Sequence, residues 1–340
     1  AFSLFLNLIA LIGLWSAGSW KTAARWSWMP ALILLLALVF GSGAIKDTAG
    51  QIYEDESAYN YIQVLQVDGY RYLRLNEGQG IHSEWNASTL IYNGPWEEFL
   101  AGPFFNNPPF QPDQVKSMAI VGLAAGTIAR QATAVYGPIP IDGWEIDPKI
   151  IEVGRKYFDM NEPNLNAIAQ DGRYGLEHTQ KKYSVIGVDA YRPPYIPWHL
   201  TTQEFFSLAR QRLTPDGVLA INVGRSPTDR SLVDDLASTL ESVFPSVYVV
   251  DLPYSYNSLI YATNQPTRAE NLYRNAITTV SQGNVNPLLL HALEVAYSGL
   301  KPTPPEQIVF TDDWAPIERI TNQMVLKFML FGNMNDLQAR

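Results

Sequence analysis

The chain has no cysteine, which excludes disulfides, thiolate catalysis and cysteine-type zinc sites. Histidine is scarce too. His82, His178, His199 and His291 lack metal-ligand spacing, so no metal is expected and each reads as a surface or hydrogen-bonded core residue. Basic residues are outnumbered, 24 Lys and Arg against 33 Asp and Glu, for a net charge of −9. A nucleic-acid partner, which needs a basic face to meet phosphates, is therefore not expected. There is no internal repeat and no low-complexity tract. A length of 340 residues leaves room for one large domain with appendages, or for two.

Charge is also missing from two N-terminal stretches. Residues 1–15 are apolar but for Ser3 and Asn7, and residues 28–45 carry no charged side chain. Trp15, Trp20, Trp26 and Trp28 cluster around the polar link, as an interfacial aromatic belt would. The pattern predicts a transmembrane hairpin over 1–45, hence contact with the lipid bilayer and a multi-pass cell-membrane location. A cleaved signal peptide fits poorly, because no basic segment precedes the first run. The chain opens without Met, which leaves room for further membrane helices before Ala1. Lys21 and Arg25 in the link, against Glu54, Asp55 and Glu56 beyond the second run, bias the globular part towards the extracytoplasmic side.

Residues 46–117 read as a linker, a small antiparallel β-domain and a covering segment. Alternating runs at 61–67 and 70–76 flank Asp68-Gly69, a strong hairpin signal, and a third short strand follows a turn at 76–80. The segment 93–117 is rich in Pro, Asn and aromatics, and fits equally a lid over a site or a long covering loop.

Residues 118–264 alternate strand and helix patterns, which predicts a mainly parallel, doubly wound sheet. Strands are expected at 118–121, 140–146, 166–170, 183–189, 218–223, 246–251 and 257–263. Helices are expected at 126–136, 148–158, 201–213 and 228–243. Residues 265–340 read as a helical extension, with helix over 265–300 and an apolar helix at 323–331.

The stretch that organises the rest is Met118–Asp147. An apolar strand leads into Gly122-Leu123-Ala124-Ala125-Gly126, then a helix, then a strand ending in Glu145 and Asp147. Small residues in such a turn bring backbone N–H groups close to a ligand at a helix N-terminus. An acid about 20 residues on sits where such folds hydrogen-bond ribose hydroxyls. Ligands of these sheets bind outside the carboxyl ends of the strands. Four such ends carry suitable groups: Gly122 to Gly126, Glu145 with Asp147, Asp171, and Asp189. Each acid alone could instead cap the next helix. Together they point to a nucleoside-type site.

The segments VGLAAGTIAR, WEIDPKIIEVGRKYF, QDGR and YSVIGVDAY, followed by IPWHLTTQEFFSLARQRLTPDGVLAINV, resemble the spermidine synthases, or polyamine aminopropyltransferases. The hydrophobic hairpin and FTDDWAPIERIT resemble the branch fused to transmembrane helices. The resemblance implies a methyltransferase-like Rossmann domain behind a small β-domain. It implies decarboxylated S-adenosylmethionine or S-adenosylmethionine as the adenosyl donor, and a polyamine substrate. By the same resemblance Glu145 binds the donor ribose, Asp171 lies near adenine, Asp189 is the first acid of the catalytic D-x-x-D segment, and Gln79 lies near the donor's amino end. Gly122, Ala124, Gly126 and Asp147 complete the expected cofactor site, and Tyr92, in Ile91-Tyr92-Asn93, is expected as the remnant of the family's Tyr-His or Tyr-Gln pair.

The family's loop, however, reads G-G-G-D-G, and its aspartate is here Ala125. The second catalytic aspartate is replaced by Arg192 or Pro194. An amine must lose a proton to attack, and arginine, always protonated, cannot take it. The expectation is thus a membrane-anchored, spermidine-synthase-like transferase with a retained adenosine pocket and a degenerate aminopropyl-transfer site. Two alternatives stay open. One is a methyltransferase using S-adenosylmethionine. The other is an inactive pseudoenzyme serving as an interaction subunit, with membrane proteins or a second copy as partners.

Overall fold

A computed structural model describes residues 2–40, 45–46, 48–76, 80–192, 195–283, 285–303 and 308–331. The chain divides into two compact units, Ala1–Ala49 and Gly50–Arg340.

The first unit is helical: α1 (Phe2–Ser16), α2 (Trp20–Trp26) and α3 (Trp28–Phe40). Gly18 at φ +75° turns the chain after α1, and α1 packs against both α2 and α3. Ser27 keeps right-handed helical angles between α2 and α3, so helix runs on through Trp20–Val39. Among the described residues that is the one helix long and apolar enough to cross a membrane. Two were expected. The apolar part of α1, Leu4–Ser16, is shorter, and at 1.5 Å per residue it spans about 20 Å, short of the ~30 Å hydrocarbon layer.

The second unit opens with an antiparallel sheet in the order β1-β2-β3-β4, formed by β1 (Gln51–Glu56), β2 (Tyr61–Val67), β3 (Tyr70–Leu75) and β4 (Ile81–Asn86). The Asp68-Gly69 turn joins β2 to β3 with both residues at positive φ, as a two-residue hairpin of this twist requires. Strand β1 escapes the sequence reading because its three acids hide any apolar alternation; pairing with β2 along the edge forms it. One face of this sheet (Ile62, Val64, Leu73, Leu75) is buried against Ala125, Ile150, Val153 and Phe158. That packing seats the small sheet on the main domain.

Residues 97–114 make three short 3-10 turns. Phe99, Leu100, Phe104 and Phe105 are fully buried there, and Phe105 stacks on Tyr248 at 4.3 Å between ring centroids. Of the two readings of 93–117, the aromatics make it a covering segment: they face the core.

The main sheet holds β5 (Met118–Val121), β6 (Ile141–Glu145), β7 (Leu165–Ala169), β8 (Tyr183–Val188), β9 (Leu213–Gly224), β10 (Ser246–Asp251), β11 (Asn257–Thr263) and the two-residue β12 (Leu300–Lys301). Their order is β12-β10-β11-β9-β8-β5-β6-β7. Strands β5 to β9 run parallel, and β11 joins antiparallel to both β9 and β10. From β5 the chain winds outward through β6 and β7, then returns to β8 on the other side. The switch point therefore lies between β5 and β8. Helices α4 (Thr127–Tyr136), α5 (Pro148–Tyr157), α6 (Gly172–His178), α7 (Gln203–Gln211) and α8 (Ser231–Glu241) make the connections, and two apolar layers cover the sheet's faces. This is a Rossmann-like α/β fold with an N-terminal antiparallel sheet. Helices α9 (Glu270–Ser281) and α10 (Pro287–Gly299) follow, and α11 (Ile317–Phe331) begins before the expected residue 323. Its buried stripe of Ile317, Ile320, Met324 and Phe328 has helical spacing, but Glu318, Arg319 and Asn322 interrupt the apolar run in sequence.

Candidate functional site

The turn after β5 is shaped by two close approaches. A Cβ on Gly122, at φ +89°, would lie 2.5 Å from the Asp189 carbonyl oxygen and 2.7 Å from the Ala190 nitrogen. Only glycine lets the ends of β5 and β8 meet there. A Cβ on Gly126, at φ +84°, would strike Met160. The expected role of the turn's N–H groups needs correction, because all five are used within the protein. Gly122 and Leu123 donate to the Trp144 carbonyl and Gly126 to that of Leu123. Ala124 donates to Glu145 Oε2 (3.0 Å) and Ala125 to Ser83 Oγ (2.9 Å). Thr127 Oγ1 accepts from the Glu84 N–H and donates to the Glu84 carbonyl, both at 3.0 Å. The turn is thus stitched to β4 and offers no free N–H cradle of the phosphate-binding kind.

What it offers instead is a wall of a cavity of about 370 Å³, within the range of small-molecule sites. Gly122, Ala124, Glu145, Asp171 and Asp189 all line it. Glu145 Oε1 accepts from the Asp147 N–H at 3.1 Å, and burial pushes its carboxyl up to about 7. Each Glu145 oxygen retains acceptor capacity for a ligand hydroxyl. Asp171 caps α6 through the Tyr174 N–H (2.9 Å) and lies 3.0 Å from His199 Nε2; that contact, foremost, holds its pKa below the usual carboxylate value. Asp189 accepts from Asn222 Nδ2 at 2.9 Å, while burial pushes it up to about 6.

Three expected residues do not line the cavity. Asp147 is fully buried and serves as the alternative capping role would have it. Its Oδ1 accepts from the Lys149 N–H at the start of α5, and its Oδ2 accepts from Ser57 Oγ (2.5 Å) and Asn60 Nδ2 (3.0 Å), tying down the β1–β2 turn. Gly126 caps α4. Tyr92 packs on the core edge-to-face with Trp96, its hydroxyl buried without a partner among the described residues. Gln79 and Pro194 lie outside the described residues. Ala125 also turns away: its methyl is buried under the small sheet.

Conversely, His82, His199 and Arg192 line the cavity. Burial pushes His82 down to about 4, and its Nε2 is buried with no partner among the described residues. Residue spacing held no signal for the two histidines, since His82 comes from β4 and His199 from the segment before α7. Among the described residues no group of three or more His, Asp or Glu could hold a metal ion. An adenosyl donor fits the residues present. Trp144, Ile146, Ile150 and Leu200 give apolar wall for a purine, Glu145 offers acceptors for ribose hydroxyls, and the orphaned His82 nitrogen awaits a polar partner.

Residues 105–273 match the family described as the spermine/spermidine synthase domain. A probable polyamine aminopropyl transferase of Bifidobacterium longum is 32% identical over 283 residues, covering 78% of this chain and 61% of that protein. The chain thus spans about three fifths of that relative's length. A polyamine aminopropyltransferase of Vibrio vulnificus is 29% identical over 218 residues, covering 59% of this chain and 68% of that protein. Among solved structures, a probable spermidine synthase from Corynebacterium glutamicum superposes with a TM-score of 0.57 at 18% identity, covering 77% of this chain and 100% of that one. Spermidine synthase from Thermotoga maritima gives 0.56 at 18%, covering 74% and 84%. These two likenesses establish the fold. The family match runs over the whole parallel sheet and the strand ends that carry Gly122, Glu145, Asp171 and Asp189, and residues 105–273 of the chain form a spermine/spermidine synthase domain.

Proposed function

We propose that the protein is an aminopropyltransferase-type enzyme with an altered acceptor end, anchored to a membrane through residues 1–45. The observation that carries the reading is the convergence of Glu145, Asp171 and Asp189, from the ends of three parallel strands, on one cavity. When bound, an adenosyl sulfonium such as decarboxylated S-adenosylmethionine supplies the electrophilic carbon. Glu145 accepts the ribose hydroxyls, Asp171 with His199 holds the purine end, and Gly122 and Ala124 allow close contact. Asp189, pushed up to about 6, is ionised at neutral pH yet basic enough to take the proton an attacking amine must shed. Arg192 or Pro194 takes the place of the second acid, and Arg192 lines the cavity, so diamine transfer is disfavoured. Purified protein is expected not to make spermidine from putrescine at several turnovers per second, a usual rate for enzymes.

Arg192 also favours a second reading, a pseudoenzyme that retains the fold as an interaction subunit of a membrane assembly. Methyl transfer from S-adenosylmethionine is a third, since positioning alone lowers a barrier substantially without a base. Calorimetric titration with decarboxylated S-adenosylmethionine, S-adenosylmethionine and 5′-methylthioadenosine separates these. Saturable binding that disappears in Glu145→Ala is expected. Absence of heat with all three ligands would overturn the enzyme reading in favour of the pseudoenzyme.

A further inference from the structure

Resting on that reading, we infer that the acceptor is not a diamine but an amine bearing an anionic group at its far end, of the ω-amino carboxylate class, with Arg192 binding the anion. Asp189 and Arg192 leave the end of β8 within one short segment and line the same cavity. Arg192 is exposed at its rim, and its backbone is held on both sides: its N–H donates to the Tyr195 carbonyl at 2.8 Å and the Tyr195 N–H returns to the Arg192 carbonyl at 2.9 Å. Two other arginines of this domain pair with acids, Arg173 with Asp312 at 2.6 Å and Arg230 with Asp251 at 2.5 Å, and Arg71 and Arg212 donate to the backbone carbonyls of Tyr157 and Leu176. Arg192 has no such ion pair among the described residues.

Neither Asp171 nor Glu145 pairs with it among the described residues: Asp171 is engaged by His199, and the Glu145 oxygens accept the Ala124 and Asp147 N–H groups of the donor end. Asp189 is held by Asn222, whose own amide oxygen accepts from Asn257 Nδ2 at 2.8 Å. The acceptor end is therefore dipolar, one carboxylate and one guanidinium. A diamine carries two ammonium groups, and the one not at Asp189 would meet a like charge. An ω-amino acid brings an ammonium for Asp189 and a carboxylate that guanidinium binds in bidentate fashion. In the transfer, the amine nitrogen of the acceptor forms a bond to the donor's propyl carbon as the carbon–sulfur bond breaks. The electron pair of that bond stays on sulfur, leaving the neutral thioether, and the amine proton passes to Asp189.

The test uses the full chain with decarboxylated S-adenosylmethionine and follows release of 5′-methylthioadenosine. Acceptors are β-alanine, 4-aminobutyrate and 5-aminovalerate against diaminopropane, putrescine and cadaverine. The best amino acid is expected to exceed the best diamine at least tenfold in kcat/KM. Arg192→Asp should reverse that order, and Arg192→Lys should retain part of it. A diamine preference in the parent, or a ratio unmoved by Arg192→Asp, would overturn the assignment. So would donor binding with no thioether from any acceptor, which leaves the donor site standing. Failure to bind any adenosyl donor would instead remove the parent reading, and this one with it.

Discussion

Replacing Asp189 by Asn tests the site through both stability and chemistry. The substitution keeps an oxygen to accept from Asn222 Nδ2, so the local hydrogen bond survives and only the charge is lost. Burial raises the Asp189 carboxyl from 3.8 to about 6 in the folded protein, a difference worth about 3 kcal/mol. The sign follows from linkage. A raised folded value means that the stabilisation is fully present below the unfolded pKa and is lost as pH rises through the folded one. The parent should therefore lose ground to Asp189→Asn as pH rises, by roughly 1.4 kcal/mol between pH 5 and pH 8. Urea unfolding of the full chain in detergent at those two pH values measures the gap. Group transfer should meanwhile fall by about 10²–10⁴, with donor affinity retained. A stability gap that does not change with pH would mean that the Asp189 carboxylate is as well solvated in the cavity as in the unfolded chain, and the argument for a poised base would fail.

Gly122→Ala places a Cβ 2.5 Å from the Asp189 carbonyl oxygen and at φ +89°; a loss of about 2–4 kcal/mol is expected from strain and displacement together, read from the unfolding midpoint, along with lost donor binding by calorimetry. The Trp20–Val39 helix predicts that the chain stays with the membrane pellet on alkaline carbonate extraction, and release into the supernatant would refute the anchor. Protease protection in sealed vesicles should show residues 50–340 on the extracytoplasmic side, as the bias of Lys21 and Arg25 implies; digestion from the cytoplasmic side alone would reverse that orientation.

Much of the main sheet was legible because its signals are local. Met118–Val121, Ser246–Asp251 and Asn257–Thr263 are apolar or alternating runs bounded by turn residues, and each forms the strand its pattern implies. Asp68-Gly69 needed only its own backbone preferences to define a hairpin. By itself the sequence also fixed the order of strand, small-residue turn, helix and acid that places Gly122, Glu145, Asp171 and Asp189 at strand ends, because the carboxyl ends of parallel strands share one edge. Tertiary structure decided which of those groups reach the cavity. Asp147 was drawn off by Ser57 and Asn60 of a turn some ninety residues away in the chain, and the N–H groups of the turn were taken up by Ser83, Trp144 and Glu145. His82 and His199 joined the site only through the seating of β4 and the path of the segment before α7. Local pattern reports backbone preference and burial period, whereas hydrogen-bond partners are allotted by through-space distance, which no spacing along the chain encodes.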